Sequence, residues 1–206
     1  MEKIVITIAR QYGSGGRTVG EMLAEKLGIH YYDKELLKLA SDDSGINEAL
    51  FVNADEHLKN TKLFRGSRHA YNGELIPPGS DDFTSIDNLF NYQAKAIRHL
   101  AETESCVIMG RGSDYVLKDY PNVLSVFVHA PMDFCIEMAS KKHSMSEKEL
   151  EKFILKTDKN RADYYKYHTG RDWTDARNYD LCLDSSKLGF DRCVEEIIAY
   201  MNVRFQ

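Results

Sequence analysis

Apolar residues fall along this chain in short unbroken runs and in helical stripes, and the two patterns alternate. Lys3 to Ile8 is a β-branched run that predicts a first strand. Val19, Met22, Leu23 and Leu27 follow at helical spacing, and Gly28 ends them. Ile29-His30-Tyr31-Tyr32 predicts a short second strand closed by Asp33, which makes the opening the size of a parallel crossover unit. Lys34 to Ala40 continues as a helix that Asp42-Asp43-Ser44-Gly45 breaks, and a short helical pattern runs from Asn47 to Lys59. Asn60 to Thr84 keeps no period and reads as a long loop or small insert.

After it, Ser85 or Asp87 caps a helix whose stripe is Ile86, Leu89, Phe90, Ala94, Ile97, Leu100 and Ala101. Cys106 to Met109 and Val123 to Val128 read as buried strands, the first closed by Gly110-Arg111-Gly112. Pro131 opens a helix to about Lys142. Ser146 with Glu149 matches a capping box for a helix to about His168, ended by Gly170. Asp180 to Asp184 is the last strand, and Phe190 to Phe205 the last helix. This alternation predicts one α/β domain over 1–206, in three layers, with a largely parallel sheet of about five strands. Ligands in such sheets sit at the carboxyl ends of the strands. The glycine loop after the first strand, Gly110-Arg111-Gly112 and the segment after Asp184 all fall there.

Composition narrows the function classes. The 206 residues carry a formal net charge of −5, so broad attraction to nucleic acid is not expected, and an anionic ligand must be held by local arginines and lysines. No apolar run approaches the ~20 residues that span a bilayer. The opening lacks the basic and apolar regions of a signal segment, so a cytoplasmic protein is expected. Cys106, Cys135, Cys182 and Cys193 form no C-x-x-C pair, and the seven histidines form no H-x-x-x-H pair, so no zinc site is expected.

The candidate chemistry starts in the stretch from Ile4 to Thr18. A phosphate loop ordinarily reads G-x-x-x-x-G-K-[ST]. Here Gly15 and Thr18 fit a close variant, and Gly16 stands at the lysine position. Gly13, Ser14, Gly15, Gly16, Arg17 and Thr18 form either a cradle for nucleotide phosphates, with the Thr18 hydroxyl on Mg²⁺, or a tight strand-to-helix turn that needs glycines. Arg17, or Arg10 where the first glycine would stand, can supply the charge of the missing lysine. Arg111 is either a surface arginine or a fork for an acceptor phosphate. Asp33 either faces the acceptor or caps the next helix. Lys159, Arg161, Arg171 and Arg177, within about 146–178, belong either to a closing lid or to a solvated helix face. Arg65, Arg68 and His69 lie in the insert.

These residues make the sequence resemble the nucleoside monophosphate kinases, and within them the cytidylate kinase-like branch. Gly13-x-Gly15-x-x-Thr18 stands in the positions of that family's loop, and Ala9 to Arg17 is similar to the opening of cytidylate kinase-like proteins. Tyr32-Asp33 resembles the end of the family's second strand, Gly110-Arg111-Gly112 its G-R-D segment, and Asp184-Ser185-Ser186 its L-D-[ST]-[ST] segment near the donor base. Three positions depart from true cytidylate kinases: Gly16 for the loop lysine, Gly112 for the aspartate, and Leu39 roughly where an acceptor-binding arginine stands. The resemblance implies a P-loop kinase fold with a helical lid and an acceptor-side insert at 41–84. It implies ATP and Mg²⁺, with Arg17, Arg111 and Arg161 as catalytic candidates, Ser185 near the donor, and Asp33 and Arg111 on a nucleoside monophosphate, CMP or dCMP first. A non-catalytic nucleotide-binding regulator and a P-loop kinase of another small metabolite are the alternatives. Oligomeric state is not legible.

Overall fold

The computed structural model describes residues 3–56, 71 and 73–205. Five parallel strands form one sheet: β1 Val5–Arg10, β2 His30–Tyr32, β3 Cys106–Met109, β4 Val123–His129 and β5 Leu181–Asp184. Their order is β2-β3-β1-β4-β5, with Val5 of the central strand opposite both Cys106 and Val123. The helices are α1 Gly16–Leu27, α2 Glu35–Ser44, α3 Glu48–Glu56, α4 Ile86–Thr103, α5 Ser113–Val116, α6 Met132–Ser140, α7 Glu147–Thr169, α8 Ser185–Leu188 and α9 Phe190–Arg204.

The strands alternate their side chains between two helical layers. Ile6 and Ile8 pack with Val19 and Leu23 of α1 and with Val194 and Ile197 of α9. On the other face Val5 and Ile108 meet Ala94 and Ile97 of α4, Leu117, and Tyr164 of α7. A fully buried aliphatic side chain contributes about 1.5–3 kcal/mol, so these two layers fix where the strands end and the polar loops begin. Leu37, Ile46, Phe51, Leu89 and Tyr92 make a smaller core that binds α2 and α3 to α4.

Several boundaries differ from the sequence reading. The first strand runs on to Arg10, because its ladder with β4 continues to Arg10 opposite Val128. Helix α2 passes through Asp42 and Asp43 and ends at Ser44, with Gly45 closing it at φ 73°. Asp43 is tolerated on an exposed face because Lys95 of α4 pairs with it at 2.8 Å. The one-turn helices α5 and α8 have no counterpart in the sequence reading, since four residues show no period. Among the described residues no helix is long and apolar enough to cross a membrane.

The described part of the insert is pinned to α4. Buried Asn88 accepts from the Ile76 backbone N–H at 2.8 Å and donates to the carbonyls of Ile76 at 3.2 Å and Phe83 at 2.7 Å. Asn91 donates to the Glu74 carbonyl. Arg65, Arg68 and His69 lie outside the described residues, as do residues 57–59 of the predicted short helix. Helix α7 starts as its capping box predicts, with the Glu149 carboxylate accepting from the Ser146 backbone N–H at 2.9 Å. Its last turns are packed down, with Tyr164, Tyr165 and His168 buried.

Candidate active site

The loop from Gln11 to Gly15 joins β1 to α1 and is held in shape from several sides. Gly13 has φ 82°, and a Cβ there would lie 2.5 Å from the Cys135 carbonyl oxygen. Gly15 has φ 75°, and a Cβ there would run into the Phe190 ring. Only glycine takes both the left-handed backbone and the close approach. The buried Ser14 hydroxyl donates to the carbonyls of Gln11 at 2.9 Å and Val128 at 3.1 Å. The Ser185 hydroxyl donates to the Ser14 carbonyl at 2.6 Å. Both serines, expected on the nucleotide, spend their hydroxyls bracing the loop.

The backbone donors are arranged differently. The Gly16 N–H reaches the Ser14 oxygen at 3.4 Å, and the Tyr12 N–H donates to Asp158 at 2.8 Å. Among the described residues no acceptor takes the N–H groups of Gly13, Gly15, Arg17 or Thr18. Unfilled N–H donors at a loop and helix N-terminus make an anion cradle. Thr18 sits half-buried in the first turn of α1.

The charge of one carboxylate reaches four arginines on or near this loop. Asp33, at the carboxyl end of β2, acts electrostatically on Arg10, Arg17, Arg111 and Arg161. Arg17 is its nearest partner at 3.6 Å, and also pairs with Glu21 at 3.0 Å, with more than half of its side chain exposed. Arg161 of α7 donates to the Arg10 carbonyl at 3.1 Å and to Asp158 at 3.0 Å, so it is brought to the loop. Burial, and next the Arg161 charge, push the Arg10 guanidinium down to about 10, against the pull of Asp33. Burial lowers Arg111 and Arg161 as well, while Tyr164 opposes the shift at Arg111 and Asp158 opposes it at Arg161. Cations crowded at such depth hold a field that an incoming anion would relieve.

Arg111 stands in a strained turn. Its φ is 63°, between Gly110 at 67° and Gly112 at 64°, and it is the single non-glycine residue with positive φ among those described. Such strain is kept where the surrounding structure imposes it, commonly at functional sites. Gly112 stands where the resemblance places an aspartate, but Asp114 follows two residues later. Asp114 is buried and accepts from the Tyr165 hydroxyl at 2.6 Å. Burial pushes its carboxyl up to about 6.

The other cations of the expected lid are not gathered at the loop. Lys159 pairs with Asp163 at 3.0 Å on an exposed face. Arg177 makes a two-pronged pair with Asp175, Nε to Oδ1 at 2.9 Å and Nη2 to Oδ2 at 2.7 Å, out in solvent. Arg171 lies over the Tyr115 ring, 5.1 Å from its centroid. On the far side of the loop, a groove of about 470 Å³ opens at the carboxyl ends of β4 and β5, lined by Gln11, His129, Thr174 and Asp184 among others. The sequence reading missed Asp114 and the Asp158 contact. A carboxylate three residues before Arg161 on a helix was the available signal for the second.

Known proteins resemble this chain both in sequence and in fold. The model of the cytidylate kinase-like family matches residues 5–187. A cytidylate kinase of Methanosarcina acetivorans is 26% identical over 184 residues, covering 88% of this chain and 87% of that protein. The crystal structure of an uncharacterized protein from Eubacterium ventriosum superposes with a TM-score of 0.73 at 27% identity, covering 98% of this chain and 100% of the other. A shikimate kinase from Bacteroides thetaiotaomicron shares the fold at a TM-score of 0.55 and 15% identity, covering 97% and 98% of the two chains.

Proposed function

Because the chain belongs to the cytidylate kinase-like family, we propose that it is a P-loop kinase that transfers the γ-phosphoryl group of ATP to a nucleoside monophosphate, CMP or dCMP first. One observation carries this reading: the N–H donors of Gly13, Gly15, Arg17 and Thr18 have no acceptor among the described residues, on a loop where Arg10, Arg17 and Arg161 stand and the charge of Asp33 reaches all three and Arg111. A site with that excess of positive charge suits two phosphorylated ligands at once.

The chain's own groups divide the work. The loop N–H groups bind the donor phosphates, and the groove beside β4 and β5 has room for the donor's nucleoside. In the usual loop the hydroxyl for Mg²⁺ directly follows the lysine position, and here that residue is Arg17. The half-buried Thr18 hydroxyl, one residue on, would instead be the ligand for Mg²⁺, which when bound draws charge from the phosphate oxygens. Arg111 orients the acceptor phosphate, and Arg17 with Asp33 lines the acceptor side. Arg161 neutralises charge that spreads over the transferred group. An acceptor phosphate oxygen attacks the γ-phosphorus and ADP departs, so no protein base is needed.

Turnover decides the matter. The protein is incubated with MgATP and a panel of nucleoside monophosphates, and ADP formation is followed. Turnover with CMP or dCMP is the expected result. Tight ATP binding with no turnover on any acceptor would sink the kinase reading in favour of a regulator. Turnover only with a non-nucleotide acceptor would select a metabolite kinase.

A further inference from the structure

The position that carries a lysine in the usual phosphate loop holds Gly16, and the structure shows what lies against it. Arg10, the last residue of β1, passes directly over this glycine. A Cβ on Gly16 would lie 2.5 Å from Arg10 Cβ, and 3.1 Å from both Arg10 Cγ and Val128 Cβ, so Arg10 is the nearest obstacle. Further out, a Cβ on Gly110 would lie 2.5 Å from Arg10 Nη1. The side chain therefore runs from the start of α1 to the carboxyl end of β3, beside Arg111. Gly16 lets its stem pass, and Gly110 leaves room for its tip.

Its charge is unspent. Among the described residues no acceptor makes a hydrogen bond with the Arg10 guanidinium, although the group has five N–H donors. Asp33 and Asp158 act on it only through space. Arg17, the other stand-in considered for the lysine, points elsewhere: its Nε is 3.0 Å from Glu21 and 3.6 Å from Asp33. A guanidinium placed between the N–H cradle and Arg111 stands between donor and acceptor, where the phosphoryl group must pass.

We propose that Arg10 takes the place of the missing loop lysine, contacting the donor's terminal phosphates, and that Gly16 is the space its side chain requires. The proposal rests on the kinase reading for its catalytic part, but its binding part stands apart. A planar fork can hold oxygens of two phosphates at once, which a lysine ammonium does as a point charge. The loop is then a rewired one, with its cation supplied from the strand before it instead of from the helix after it.

The test uses the full chain and two readouts. Equilibrium binding of ATP, ADP and adenosine is measured for wild type, Arg10→Met and Arg10→Lys, with thermal melts to confirm folding. Arg10→Met is expected to weaken ATP binding by roughly 10–100-fold, as loss of a charge-assisted contact does, with adenosine binding unaltered and Arg10→Lys in between. ATP binding by folded Arg10→Met equal to wild type would overturn the proposal, whether or not any acceptor turns over. A second pair guards against a merely structural effect. Gly16→Lys alone is expected to lose ATP binding, because its side chain collides with Arg10. The double variant Arg10→Gly, Gly16→Lys restores the usual arrangement and is expected to recover it. A double variant no better than Gly16→Lys, while folded, would also overturn the proposal. Absence of turnover in wild type with ATP binding still dependent on Arg10 would instead defeat the kinase reading alone.

Discussion

The backbone N–H of Tyr12 donates to the Asp158 carboxylate at 2.8 Å, across 146 residues of sequence, and so ties the long helix α7 to the glycine loop. The same oxygen takes a hydrogen bond from Arg161 at 3.0 Å. Burial raises the Asp158 pKa, and Arg161 opposes the shift. The pair is mostly shielded, so removing one member leaves the other charge poorly solvated. Asp158→Ala is expected to cost about 1–3 kcal/mol in urea unfolding, and to weaken ATP binding through a loosened loop. Asp158→Asn keeps an acceptor for Tyr12 and is expected to fall between. Equal stability of Asp158→Ala and wild type would show that the contact holds nothing.

Arg111 sets function against stability. Its left-handed backbone costs about 1 kcal/mol that glycine would not incur, and its charge is desolvated. Arg111→Gly is therefore expected to be about 1 kcal/mol more stable than Arg111→Ala, which gives up the same side-chain contacts and keeps the strained backbone. The same change is expected to raise the acceptor KM by about tenfold or more. Urea melts and acceptor titrations at saturating ATP check the two halves separately. A large loss of stability would mean that the arginine is structural.

The fold was legible because its signals are additive over many residues. Continuous runs such as Cys106 to Met109 and stripes such as Ile86 to Ala101 point the same way as their burial. The site was legible by position only. The glycine loop, Asp33 and Arg111 do lie together at the carboxyl ends of β1, β2 and β3. Side-chain direction was not legible: Arg17 leans on Glu21 and Asp33, Arg10 turns in along Gly16, and the Ser14 and Ser185 hydroxyls bond carbonyls. Those choices depend on packing between residues far apart in sequence, such as Arg10 against Gly110. One polar signal inside an apolar stripe was available and unread. Asn88, Asn91 and Gln93 interrupt the α4 face, and two of them hold the insert.

Asn88 is the stronger of those two. Its amide is fully buried and satisfies three backbone groups of residues 76 and 83. Asn88→Leu would leave them unpaired at a buried site, and is expected to destabilise the protein by about 2–4 kcal/mol in urea unfolding. Limited proteolysis should then cleave first within residues 73–85. Protection of that segment in the variant would show that the packing of Phe83 on Tyr92, at 6.3 Å between centroids, suffices without the amide.

Two buried groups make the response to acid opposite in sign. The His168 imidazole lies flat on Phe90, with centroids 4.1 Å apart at 7°, and meets the edges of Tyr164 and Tyr167. Burial pushes it down to about 3, so the folded state stays neutral while the unfolded chain takes a proton below about 6.5. Its contribution is full above pH 6.5 and is lost as pH falls toward 3. Asp114 behaves in reverse. Burial raises it to about 6 from 3.8, so its penalty is full above pH 6 and is relieved as pH falls toward 3.8. Between pH 7 and pH 5 the first effect is worth about 2 kcal/mol and the second about 1 kcal/mol. His168→Gln should thus gain about 2 kcal/mol relative to wild type over that interval, and Asp114→Asn should lose about 1 kcal/mol. Urea unfolding of the three proteins at both pH values measures each difference with the other titrations cancelled. Parallel pH dependences for wild type and His168→Gln would mean that the imidazole is protonated in the fold, with a partner that the stack on Phe90 does not provide.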